Sequence, residues 1–83
     1  MIAASIDQQN LQFVPAAVSV KVGDVVLFTS HDPSLHMIKV DSTIIAGTMK
    51  NGDMVRWKAP APGQYKITCD YHPQMSATIN VSP

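Results

Sequence analysis

Three side chains that can act as soft metal ligands occur within seven residues, in the order Cys69, His72 and Met75. Cys69 is the only cysteine of the chain. A thiolate, an imidazole and a thioether are soft ligands, and this combination suits copper better than magnesium or calcium. A trigonal copper site needs one more imidazole, with the methionine as a weak axial ligand. The Cys-x-x-His-x-x-Met segment therefore predicts three of the four ligands of one copper ion.

The second imidazole is predicted from strand phase. His36 is in phase with Ile38 and Val40 on one strand, and Cys69 is in phase with Ile67 on a later strand. Side chains two positions apart on a strand face the same way, so His36 and Cys69 should both point into the core. One lies at the start of its strand and the other at the end. If the strands are neighbours, both ligands meet at one pole of the fold, beneath the loop that carries the other two.

Each ligand taken alone has another interpretation. A lone cysteine in phase with a core strand is usually a small buried hydrophobe. A histidine at a strand end is more often a hydrogen-bonded polar residue, and a single methionine often only fills the core. The combination of all four favours copper. His31 is the alternative second imidazole, but it precedes the turn signal Asp32-Pro33-Ser34 and lies outside the alternating strand.

Composition limits the class of protein. Eighty-three residues predict one domain, residues 1–83. Six basic and six acidic side chains give a net charge of zero, which argues against a nucleic-acid or membrane-surface partner. No apolar run is long enough to span a membrane. A single cysteine excludes an intrachain disulfide. The first residues do not resemble a signal peptide, so the residues alone leave open whether the protein is cytosolic or has lost a leader.

The patterning predicts an all-β fold. Val, Ile and Thr supply about a quarter of the chain, and all six acids are Asp, so the helix former Glu is absent. Seven or eight short strands with frequent turn signals indicate a β-sandwich or a small barrel. Residues 25–29 are apolar on both faces and predict a central strand. Phe13 should anchor the connection 10–15 in the core, and Asn51-Gly52 predicts a β-hairpin. Residues 42–53 have the least regular pattern. The Tyr65 hydroxyl is expected either to bond to backbone or to belong to plain core packing.

These motifs resemble the cupredoxins, the type 1 (blue) copper proteins, and most of all the amicyanins and plastocyanins. The resemblance covers most of residues 18–81 and rests on Val20–Phe28, on His36 eight residues after Phe28, on Gly63–Cys69, and on the Cys-x-x-His-x-x-Met loop with Pro73 directly after His72. It implies a Greek-key β-sandwich of seven to eight strands. It also implies one Cu(I)/Cu(II) ion held by His36, Cys69, His72 and Met75.

By the same resemblance, the protein is a soluble electron carrier that moves single electrons between redox proteins, and not an enzyme. The alternative on the same fold is a copper carrier or sequestering protein. The resemblance implies export, for example to the periplasm. Redox partners should dock weakly on a monomer at the exposed edge of His72, within a neutral ring formed by Pro33, Leu35, Tyr71, Pro73 and Gln74.

Two positions depart from the family pattern. The residues that follow the upstream histidine and the cysteine commonly tie the two ligand loops together through polar side chains, but here they are Met37 and Asp70. Met37 cannot make that side-chain hydrogen bond, so the loops must be held in another way. We expect two backbone donors to the Cys69 sulfur, the N–H groups of Met37 and Tyr71.

Overall fold

The computed structural model describes residues 2–9, 11–32, 35–41, 43–69, 71 and 74–83, apart from the side chain of Ala46. Within these ranges the chain forms nine strands. In chain order they are β1 Ile2–Gln9, β2 Gln12–Val14, β3 Ala17–Lys21, β4 Val25–Ser30, β5 His36–Val40, β6 Thr43–Met49, β7 Met54–Lys58, β8 Gly63–Thr68 and β9 Ser76–Ser82.

The strands form two sheets, in the orders β2-β1-β4-β7 and β3-β9-β8-β5-β6. Both sheets are mixed, because β1 runs parallel to β4 and β3 runs parallel to β9. The predicted all-β sandwich is confirmed. The predicted count of seven or eight strands is too low for the described residues. The extra element is β2, a three-residue strand that pairs with β1 within the predicted connection 10–15.

The core lies between the sheets and follows the period-two pattern of the sequence. On β4 the inward residues Val26 and Phe28 are fully buried, and their neighbours on the strand are half-buried. β4 lies between β1 and β7, which confirms that it is a central strand. Phe13 on β2 is buried as predicted. Alternation therefore fixes which residues face the interior, as expected for strands with one face on the core.

The predicted hairpin at Asn51-Gly52 is wrong, although a turn forms there. The Asp53 N–H donates to the Lys50 carbonyl at 2.9 Å, which closes a four-residue turn. Gly52 has φ of 94°, whereas Asn51 is not among the positive-φ residues. A tight two-residue hairpin of the predicted type needs positive φ at both central positions. The turn instead passes the chain from β6 in one sheet to β7 in the other.

The Tyr65 hydroxyl resolves the choice between a backbone bond and plain packing. It donates to the Ala61 carbonyl at 2.8 Å, four residues earlier in the chain. The Tyr65 ring also meets the Trp57 ring edge-on, with centroids 5.1 Å apart. Together these contacts fix the start of β8 against β7 of the facing sheet, and β8 leads directly to Cys69. Among the described residues there is no helix with the length and apolar character of a membrane span.

Candidate metal centre

His36 and Cys69 meet at one pole of the sandwich. β5 begins at His36, β8 ends one residue before Cys69, and the two strands pair antiparallel. The start of β5 therefore lies beside the end of β8. The His36 Nδ1 atom is 3.8 Å from the Cys69 sulfur. Both side chains are almost fully buried, with relative exposures of 0% and 1%. His36 and Cys69, which strand phase predicted to point inward, are therefore in contact with each other.

Met75 lies at the same pole. β8 and β9 pair antiparallel, with Thr68 opposite Ser76. Cys69 follows Thr68 and Met75 precedes Ser76, so the two residues lie next to each other just beyond the last pair of this ladder. Directly opposite residues of an antiparallel pair have Cα atoms about 5 Å apart. Met75 is 1% exposed and belongs to the core cluster that also contains Cys69.

Among the predicted ligands, His72 falls outside the described residues, as do the neighbouring Asp70 and Pro73. The described donors are therefore one imidazole, one thiol and one thioether. No group of three or more His, Cys, Asp or Glu residues that could hold a metal occurs within the described ranges. A site of the predicted type contains three such residues only when His72 is included.

The distance between the His36 ring and the sulfur fits a shared metal ion. Bonds of about 2.3 Å to a thiolate and about 2.0 Å to an imidazole, opening at about 120°, separate the two ligand atoms by roughly 3.7 Å. The observed separation is 3.8 Å. The His36 Nδ1 atom and the Cys69 sulfur thus have a separation that would suit one ion between them. A thiol, an imidazole and a nearby thioether also form the ligand chemistry that copper prefers.

One of the two expected backbone donors reaches the sulfur. The Met37 N–H donates to the Cys69 sulfur at 3.4 Å. The other expected donor, the Tyr71 N–H, does not appear among the hydrogen bonds of the described residues to this sulfur. A donor to the thiolate holds the sulfur in place and stabilises its negative charge.

Tyr71, in the connection between β8 and β9, makes a contact that the sequence did not reveal. The Tyr71 hydroxyl lies 3.0 Å from the Thr48 Oγ1 atom on β6. Met37, which replaces the polar residue expected there, is buried in the core cluster instead. Tyr71 thus has a polar contact with the edge strand β6. This contact is in addition to the hydrogen bond from the Met37 N–H to the Cys69 sulfur. Neither residue type nor spacing links position 48 to position 71, so this pair needed the three-dimensional structure.

A buried carboxylate contacts the far side of the His36 ring. The Asp32 Oδ2 atom is 2.9 Å from the His36 Nε2 atom, and the same oxygen accepts the Leu11 N–H at 3.0 Å. The sequence identified Asp32 only as part of a turn signal. The extended pattern around His36 did not indicate that its ring would contact Asp32.

The alternative imidazole, His31, faces away from this site. Its side chain is about half exposed, at 49%, and its Nε2 atom lies 3.5 Å from Asp7 Oδ1. Its backbone N–H donates to the Gln8 carbonyl, which continues the β1–β4 pairing by one residue. Of the two histidines, the one that contacts the Cys69 sulfur is His36.

The described part of the predicted docking ring is exposed. Leu35 and Tyr71 have relative exposures of 47% and 48%, and Gln74 is also exposed. Pro33 and Pro73, the other predicted members, lie outside the described residues. Leu35 directly precedes β5, which carries His36, and Tyr71 and Gln74 lie in the connection between β8 and β9 that contains Cys69 and Met75.

Comparison with known proteins gives matches among solved structures alone. No family model matches the sequence, and no curated protein matches it. Amicyanin from Paracoccus versutus (Thiobacillus versutus) superposes with a TM-score of 0.87 at 16% identity, covering 96% of this chain and 81% of that one. The Cu(I) form of an amicyanin variant gives a TM-score of 0.86 at 22% identity, with coverages of 96% and 82%.

A copper-containing nitrite reductase from Thermus scotoductus also matches, with a TM-score of 0.86 at 21% identity. The match covers 96% of this chain but 22% of the reductase, so it concerns a part of that larger protein. At these identities the likeness defines the fold and leaves the ligands to be argued from this chain's own residues. The chain has a cupredoxin fold that is similar to the fold of amicyanin.

Proposed function

We propose that this protein is a type 1 copper protein that carries single electrons between redox partners. One copper ion would be held by His36, Cys69, His72 and Met75. The observation that supports this most strongly is the buried contact between the His36 Nδ1 atom and the Cys69 sulfur at 3.8 Å. The cupredoxin fold agrees with this proposal, and one of the similar amicyanin structures is a Cu(I) form.

Bound copper would supply a one-electron couple, Cu(I)/Cu(II). The chain's part is to keep the ligands in one arrangement for both oxidation states. Strand pairing fixes the backbone of His36 opposite Met49, and it fixes Thr68, the residue before Cys69, opposite Lys39. The Met37 N–H restrains the sulfur. The inward side chains Phe28 and Ile38 are fully buried and exclude water from the core behind the site. Ligands held in this way move little when the charge changes, which favours fast electron transfer.

Burial favours electron transfer over the alternative function, copper transport or sequestration. A protein that hands copper to a partner must expose ligands to that partner. His36, Cys69 and Met75 are each at most 1% exposed. Exchange through these three side chains would require the pole of the sandwich to open. An electron needs no such opening.

The proposal extends to how partners bind. The protein acts as a monomer and is not itself an enzyme. Zero net charge gives little long-range steering. Docking would therefore rest on a small surface near His72, for which the proposed residues are Pro33, Leu35, Tyr71, Pro73 and Gln74. Weak, short-lived redox complexes commonly bury less than about 1,200 Å². An exported location, such as the periplasm, belongs to the same proposal.

The experiment is a titration of the metal-free protein with Cu(II), followed by absorption spectroscopy. An intense visible band from thiolate-to-copper charge transfer that saturates at one equivalent supports the proposal. NMR line broadening in mixtures of the reduced and oxidised protein then measures electron self-exchange. Fast self-exchange supports the electron carrier, whereas rapid loss of copper to a chelator with slow self-exchange supports the copper carrier. A protein that stays colourless contradicts the electron carrier, and one that also binds no Cu(I) contradicts both.

A further inference from the structure

The His36 ring is contacted at both of its nitrogen atoms. Nε2 lies 2.9 Å from the Asp32 Oδ2 atom, and Nδ1 lies 3.8 Å from the Cys69 sulfur. The ring itself is 0% exposed, and the Asp32 side chain is 9% exposed. Water is thus excluded from the ring, so Asp32 takes the place that solvent would occupy at an exposed histidine.

These contacts specify which ring nitrogen carries the proton. A carboxylate accepts hydrogen bonds and does not donate them, so the Nε2 atom must be the donor. A neutral imidazole has one N–H, which leaves a lone pair on Nδ1. That lone pair faces the Cys69 sulfur, on the side where a metal ion would lie. The opposite tautomer would place a lone pair against the carboxylate, where two acceptors repel each other.

The carboxylate is itself held by the backbone. Its Oδ2 atom also accepts the Leu11 N–H at 3.0 Å. Leu11 has φ of 58°, the left-handed region that a leucine rarely adopts. It lies in the connection between β1 and β2, and the hydrogen bond to Asp32 helps to hold this unfavourable conformation. Strained backbone of this kind persists where surrounding contacts determine it.

We propose that Asp32 is a positioning residue for His36. Its carboxylate fixes the ring orientation and keeps the proton on Nε2 in the metal-free protein, so that Nδ1 is ready to bind the metal. The role of His36 as a ligand rests on the proposed function. The tautomer and the ring orientation do not, because they are properties of the chain before any metal is added.

The first test is nitrogen NMR of the metal-free protein at pH 8, where an ordinary histidine is neutral. His36 should give the signature of the Nε2–H tautomer. Asp32→Asn keeps an oxygen that can accept from both Leu11 and His36, so this variant should keep that tautomer. Asp32→Ala removes the acceptor and should give a mixture of tautomers. His31 serves as the internal control, since its ring should be unaffected in both variants.

The second test measures copper. Loss of an outer partner of a metal-binding histidine typically lowers metal affinity by about 10–100-fold. Asp32→Ala should show a loss of that size for Cu(II) in chelator competition, and Asp32→Asn a smaller one. Both variants remove a negative charge that favours Cu(II), so both should raise the reduction potential. A role limited to folding would not predict the rise in Asp32→Asn.

The outcomes separate this inference from the proposed function. A Nδ1–H tautomer in the wild-type protein, or an unchanged tautomer in folded Asp32→Ala, overturns the role of Asp32 even if copper binds. The expected tautomers in a protein that binds no copper overturn the proposed function and leave Asp32 as the residue that orients the ring. If Asp32→Ala does not fold, Asp32→Asn decides: it should keep the Nε2–H tautomer in the metal-free protein, and a Nδ1–H tautomer in that variant overturns the inference.

Discussion

Replacing Gln8 by methionine should stabilise the protein. Gln8 is 0% exposed on the inner face of β1, and neither its amide nitrogen nor its amide oxygen has a hydrogen-bond partner among the described residues. A buried polar group left without a partner costs about 1–3 kcal/mol. Methionine has nearly the same length and no strong polar atoms, so Gln8→Met removes this cost without leaving a cavity.

The expected gain in the free energy of unfolding is therefore about 1–3 kcal/mol, and each kcal/mol corresponds to roughly 4–8 °C in the unfolding temperature of a domain of this size. Urea titration of the metal-free protein measures the gain. An unchanged slope of the free energy of unfolding against urea concentration would show that both proteins expose the same surface area on unfolding. The matched control is Gln9→Met on the same strand. Gln9 is half-buried on the opposite face, so its substitution should change stability by no more than about 0.5 kcal/mol.

A loss of stability in Gln8→Met would refute this reasoning. It would mean that the amide has a partner, for example an ordered water. Ser30 allows this partner to be located, because it is paired with Gln8 in the β1–β4 ladder and its buried hydroxyl likewise has no partner among the described residues. A double-mutant cycle with Ser30→Ala would then give a coupling energy above about 0.5 kcal/mol, whereas independent unpaired groups would add.

Four further outcomes are expected. Tyr65→Phe removes the hydroxyl that donates to the Ala61 carbonyl, so urea titration should show a loss of about 0.5–1.5 kcal/mol; an unchanged midpoint would mean that this bond contributes nothing. His36→Ala should abolish the visible Cu(II) band, and His31→Ala should keep it, because the His36 ring lies beside the Cys69 sulfur and the His31 ring lies at the surface; equal spectra would contradict the assignment. Cys69→Ser replaces the thiolate by a poorer copper ligand, so the band should disappear while the circular dichroism of the strands persists. Free Cu(I) at 100 times its dissociation constant should stabilise the protein by about 2.7 kcal/mol in anaerobic thermal unfolding, and Cys69→Ser should lose most of this gain.

The sequence predicted the sandwich and the direction of its core residues because strand periodicity is a local property. Alternation along residues 36–40 and 63–69 was enough to predict that His36 and Cys69 point inward. In the structure the His36 Nδ1 atom is 3.8 Å from the Cys69 sulfur. The pairing of β5 with β8 could only be assumed from the pattern, because neighbours in a sheet are set by packing across the whole chain.

Turns were predicted less well. Asn51-Gly52 gives a turn in both a hairpin and a sheet-to-sheet crossing, and the difference lies in the φ angle of one residue. The short strand β2 was missed because three residues are too few to show a period. Both errors concern the connections and leave the core unchanged.

Contacts between distant polar side chains were beyond the reach of the sequence. Asp32 was identified as a turn residue, and its hydrogen bonds to Leu11 and His36 depend on how the connections fold back over the pole. The polar contact between Thr48 on β6 and Tyr71 joins residues that are 23 positions apart in the sequence. Such contacts have no period, and a single sequence gives no other signal for them.

The central claim is that one copper ion binds between the imidazole of His36 and the sulfur of Cys69. X-ray absorption at the copper edge of the protein loaded with one equivalent of Cu(II) tests it most directly. The account predicts one short copper–sulfur bond and two copper–imidazole bonds, with nearly the same distances after reduction. A first coordination sphere of nitrogen and oxygen atoms without sulfur would contradict it.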